Sequence, residues 1–111
     1  MLKYEIAEKL YGEIKDKAGW CSDDAIKELY EDFLKDAADY AKNRLAWHFM
    51  DNAGRMEDDR KRSMKHDAYM SMLSALCRNL GIEGIDDIMP DRKAKGDFAC
   101  YIALFLSLEQ R

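Results

Sequence analysis

Apolar residues recur at steps of three and four along almost the whole chain, and no stretch of apolar/polar alternation stands between hairpin turns. That spacing lines up one face of a helix, and a single Pro in 111 residues interrupts little of it. The expected fold is therefore all-α: one compact domain over residues 1–111, a bundle of four main helices. A chain of this length buries roughly 65% of its unfolded surface, enough for one core.

The breaks in the pattern set the expected boundaries. Ile6, Leu10, Ile14 and Ala18 form the stripe of a first helix from Leu2 to Lys17 that stops at Gly19, and Ser22 is the expected N-cap of the second. That helix carries Ile26, Leu29, Phe33, Ala37, Leu45, His48 and Phe49 and should run to Asp51-Asn52-Ala53-Gly54. A third is expected from Arg55 to Asn79, closed by Gly81, and a short helical turn near Ile85 follows. Residues 91–96 read as a polar loop, with Asp97 capping the last helix.

The last helix is nearly wholly apolar. From Phe98 to Leu108 only Ser107 is polar, so no face is left for water. The favoured arrangement makes it the central helix of the bundle, surrounded by the other three. The other buries one side in a homodimer, through this helix and the Tyr-rich first helix.

Charge narrows the function classes. The chain holds 18 Lys+Arg against 22 Asp+Glu, a net of −4. Residues 52–79 hold six basic against four acidic side chains, whereas residues 1–51 hold eight against twelve. Arg55, Arg60, Lys61, Arg62 and Lys65 spread around the third helix among acidic neighbours, a weak footprint for phosphate contacts. Nucleic acid is therefore an unfavoured partner. The apolar run is too short for a bilayer span of about 20 residues. The N-terminus lacks the layout of a secretory signal, so a cytoplasmic location is expected. Cys21, Cys77 and Cys100 are odd in number, without a C-x-x-C pair, and read as reduced, mostly buried thiols.

Motifs for chemistry are sparse. Leu45 and Ser63 stand where a di-iron bundle would want Glu before His48 and His66, and no phosphate loop or nucleophile elbow occurs. No metal, cofactor or catalytic residue is expected, and the chain reads as non-enzymatic. One cluster is more specific. Arg62 and His66 extend the apolar stripe that continues through Tyr69 and Leu73, so both should face inward and need partners. Asp58, one turn earlier, and Asp97 are the candidate acceptors, in a clasp that docks the last helix. Arg44 and His48 lie near the same hairpin turn. If the second and third helices are antiparallel, the two Arg–His pairs converge and can bind an anion.

Two stretches carry a resemblance: Arg62-x-x-x-His66-Asp67-Ala68, and Asp91-Arg92 followed by Gly96-Asp97-Phe98-Ala99. Together they resemble a family of small all-helical proteins of unknown function from Firmicutes and their phages and mobile elements. The likeness covers the C-terminal half, and Asp67 stands where that pattern more often has Asn. Such an origin implies a protein that binds and blocks a host protein, including CRISPR-type defence or regulatory complexes. The expected function is thus a protein-binding module acting on a host protein or a second copy of itself. The alternative is a nucleic-acid-associated regulator using the basic segment 55–65.

Overall fold

The computed structural model describes residues 2–110. It is all-helical as expected, with α1 Tyr4–Trp20, α2 Asp24–His48, α3 Asn52–Leu80, the short α4 Ile85–Ile88 and α5 Arg92–Glu109. Among the described residues no helix is long and apolar enough to cross a membrane.

Three helix starts differ from expectation because an aspartate other than the expected residue takes the cap, one residue downstream for α2 and several residues upstream for α3 and α5. Asp23, not Ser22, caps α2 by accepting from the Ala25 amide at 2.9 Å. Asp51 caps α3 by accepting from the Gly54 amide at 2.7 Å, so Gly54 lies inside the first turn of α3 instead of ending α2. Asp91 caps α5 through the Ala94 amide at 2.7 Å, which turns the expected loop into helix and places Asp97 in its second turn. Gly81 does end α3, in the left-handed conformation with φ 70°.

Both α2 and α5 pack against all three other long helices, and the most extensive packing is that of α2 on α3 and on α5. The buried side chains of α2 are Phe33, Ala37, Tyr40 and Asn43. Tyr69 of α3 stacks on Phe33 and Tyr40, each with ring centroids 6.0 Å apart. The expectation that α5 is fully enclosed is corrected. Ala94, Gly96, Phe98, Ala99, Ile102 and Phe105 are buried, but Leu104 and Leu108 remain exposed on its outer edge. The inner face of α5 is covered by α1, α2 and α3, and its outer edge has no neighbouring helix among the described residues.

Two aromatic groups fix α5. At its C-terminal half Phe105 meets Tyr4, Tyr11 and Tyr101, and the Tyr11 hydroxyl donates to Glu109 at 3.0 Å. At its N-terminal half the Tyr69 hydroxyl donates to the Lys95 carbonyl at 2.7 Å. Between them Gly96 allows close approach to α2. A Cβ there would lie 2.9 Å from the Tyr40 hydroxyl and 3.1 Å from an Arg44 guanidinium nitrogen.

Candidate functional site

The antiparallel α2–α3 hairpin brings its two Arg–His pairs to one place. Arg44 and His48 of α2, and Arg62 and His66 of α3, line a single cavity of about 460 Å³. Trp47 and Lys93 complete its wall, with Tyr40, Asp59, Ser63 and Arg92 beside them. The i, i+4 spacing of each pair is what turns both toward the cavity.

The partners within the cluster are not those the stripe alone points to. Asp97 accepts from Arg44 at 2.8 Å, both side chains being about one-fifth exposed. Arg62 instead pairs with Asp59 at 3.2 Å on its own helix. Asp58 accepts from Asn43 at 3.2 Å and serves neither Arg62 nor His66. The expected Arg62–Asp97 clasp is thus corrected: Gly96 lets α5 sit against α2, which puts the α5 carboxylate beside the α2 arginine. His66 does reach the start of α5, where its Nε2 lies 3.1 Å from the Arg92 carbonyl oxygen. Since a carbonyl only accepts, Nε2 carries the proton. Neighbouring Asp67 pairs with Arg92 at 3.1 Å, so both halves of the resembling pattern meet at this residue.

Trp47 is the hub that charge patterning did not reveal. The guanidinium carbons of Arg55 and Arg62 lie 4.5 and 4.7 Å from its ring centroid, one cation–π contact from each. Arg55 also donates to the carbonyls of Trp47 and His48, at 3.1 and 3.0 Å. Lys65 is held by Asp39. Three of the five cations in the basic segment therefore have partners within the chain. Arg92, singled out only within the resemblance, and Lys93 were not expected in this wall because residues 91–96 read as a loop.

Burial governs the titration of the groups nearby. It holds His66 below its ordinary value; the Arg92 carbonyl works against this, and the Arg92 and Arg62 charges reinforce it. The Cys100 thiol is raised by burial, with Arg44 opposing, and burial pushes Cys77 up to about 12. Cys77 is buried, while Cys21 and Cys100 are half-buried. No group of three or more metal-ligating side chains comes together among the described residues.

A second feature lies beside the cavity. Leu2, Leu45, Tyr101 and Leu104 line an apolar groove of about 480 Å³ between α2 and α5. Leu45 leads, one helical turn on, to Phe49, which is 85% exposed; Met56, across the hairpin turn, is 80% exposed. Compared with family models, with curated proteins and with solved structures, the chain finds no match.

Proposed function

We propose that this protein is a non-enzymatic binding module that docks another protein with the turn end of its α2–α3 hairpin. The observation that carries the reading is the exposure of Leu45, Phe49 and Met56, 62%, 85% and 80% respectively, within one turn or so of the same bend. Isolated exposed apolar residues are ordinary, but three large ones at one helix end, continuous with an apolar groove, favour an interface.

Charge favours a partner with an acidic rim. Arg60 and Lys61 stand exposed close by in a segment that is net positive, while the rest of the chain is acidic and would repel nucleic acid. The partner class drawn from the resemblance, a host defence or regulatory complex blocked by a phage or mobile-element protein, rests on the two C-terminal motifs alone. The nucleic-acid reading loses support from the inward commitments of Arg55, Arg62 and Lys65.

The test replaces Phe49 with a photo-crosslinking benzoylphenylalanine and, as a control, Glu28 on the outer face of α2. A single protein captured from position 49 and not from 28, whose affinity in purified form falls at least tenfold with Phe49→Ser/Met56→Ser, is the expected result. Unchanged affinity of the double variant overturns the reading.

A further inference from the structure

The outer edge of α5 is an uncovered seam. Lys93, Asp97, Tyr101, Leu104 and Leu108 follow one another at steps of three and four, the spacing with which helices interlock. Leu104 and Leu108 are 44% and 46% exposed, although the inner face of the same helix is buried. Tyr4 of α1, edge-on to Tyr101 at 5.8 Å, widens the strip on one side. On the other, Leu45 walls the groove that runs beside it. Arg44 takes up the Asp97 charge, and no side chain from Phe98 to Leu108 is charged.

The two ends of this helix are charged against its own dipole. Acidic side chains suit the first turn of a helix and basic ones the last. Behind the Asp91 cap, the first turn of α5 instead holds Arg92, Lys93 and Lys95 and no acid, while Glu109 ends the last turn, which has no base. Asp67 and Asp86 take up Arg92 and Lys95. Lys15 pairs with Glu109, whose side chain stays 39% exposed. Lys93 makes no ion pair among the described residues.

A second copy of the same helix, laid antiparallel, suits both ends at once. It brings the partner's Glu109, with the negative end of that helix, to Lys93, and the reverse at the other end. Lys93 and Glu109 stand about 24 Å apart along the helix, with Tyr101 halfway between them. A two-fold axis beside Tyr101 therefore pairs opposite charges and sets each Leu104 next to the partner's Tyr101, with no like charges in between. A parallel pairing would face Lys93 with its own image. The turn end of the α2–α3 hairpin cannot pair with itself in this way, since exposed Arg60 and Lys61 would meet their own images.

We infer that the protein forms a two-fold homodimer in which the outer edges of α5 pack antiparallel, each seam against the other's α2–α5 groove. Such a contact is isologous, closed and self-complementary. An edge about 27 Å long and one helix wide covers roughly 300 Å² per copy, and flanking Tyr4 and Leu45 leave it below the ~800 Å² of a standard interface. The dimer is therefore a weak one, dissociating in the micromolar range. Phe49 and Met56 lie outside the contact, which stands or falls separately from the docking surface proposed above.

Sedimentation equilibrium from micromolar to submillimolar concentration tests the inference. The expected result is a monomer–dimer equilibrium that Leu104→Glu weakens at least tenfold and Lys93→Glu at least threefold, while Lys61→Glu leaves it unchanged. Both decisive positions are exposed, so circular dichroism should show the native helix content in each variant; Leu108→Glu, one turn on, is a second break of the seam. Phe49→Ser/Met56→Ser should not alter the mass, which separates this contact from the docking surface. Orientation is read from a spin label on a genetically encoded keto residue at position 110. Antiparallel helices crossing at Tyr101 place the two labels about 27 Å apart along the seam, and parallel ones about 10 Å. A monomer at every concentration leaves the edge to a different protein and overturns the inference. A dimer that survives Leu104→Glu and Leu108→Glu does so too, as does the short separation of the labels.

Discussion

His66 Nε2 lies 3.1 Å from the carbonyl oxygen of Arg92, which ties the middle of α3 to the first residue of α5 through a buried neutral ring. The contact holds only while the imidazole is accommodated inside, flanked edge-on by Tyr40 at 4.9 Å. Protonation would bring a charge into a wall that already holds Arg62 and Arg92, with Asp67 the one carboxylate acting on it in the other direction.

A pH dependence of stability follows. Because burial lowers the His66 pKa in the folded state, the unfolded chain takes up its proton first. Above about pH 6.5 neither state is protonated there and the full stability is present. As the pH falls through 6.5 toward the lower folded value, that stability is progressively lost. Denaturant midpoints measured between pH 7.5 and 5.5 should fall in the native protein. They should fall less steeply in His66→Gln, whose side-chain amide can still donate to the Arg92 carbonyl.

Gly96 and Gly12 should respond oppositely to alanine. In an exposed helix interior, Gly→Ala stabilises by about 0.5–1 kcal/mol. Around Gly12 nothing lies within 4 Å of an added Cβ, so Gly12→Ala should gain that amount. At Gly96 the methyl would meet the Tyr40 hydroxyl at 2.9 Å, and Tyr40 is 3% exposed and stacked on Tyr69, so it has little room to swing away. Gly96→Ala should cost about 1–3 kcal/mol, read as a lowered urea midpoint with an unchanged slope.

The Arg44–Asp97 pair should couple more strongly than Arg62–Asp59. Both partners of the first are about one-fifth exposed, whereas Asp59 is 65% exposed. Removing Arg44 strands a largely buried carboxylate, and Arg44→Ala should cost about 1–3 kcal/mol. A double-mutant cycle with Asp97→Asn should give a coupling above about 1 kcal/mol, against less than about 0.5 for Arg62→Ala with Asp59→Asn.

Phe105 should be the most costly single truncation on α5. It is 6% exposed and contacts Tyr4, Tyr11 and Tyr101, so Phe105→Ala leaves a cavity between α1 and α5. A loss of about 3–5 kcal/mol in chemical denaturation is expected. Leu104→Ala, on the exposed outer edge, should cost less than about 1 kcal/mol if the protein is monomeric. A larger loss that depends on protein concentration would place Leu104 in a contact between copies.

By itself the sequence determined the helices and much of their inward faces. Tyr69, Leu73 and Leu76 on α3, and Leu10 and Ile14 on α1, lie on the stripes that their spacing marks, because helical period is a local property. The convergence of Arg44, His48, Arg62 and His66 was also legible, since an antiparallel hairpin and i, i+4 spacing suffice to bring them together. Tertiary structure alone decided who pairs with whom. Asp97 meets Arg44 and not Arg62 because a glycine one residue earlier lets two helix backbones approach, which no pattern within either helix encodes. It likewise decided that the apolar α5, though packed on all three other long helices, keeps Leu104 and Leu108 at the surface, since burial depends on which neighbours cover a face and not on how apolar that face is.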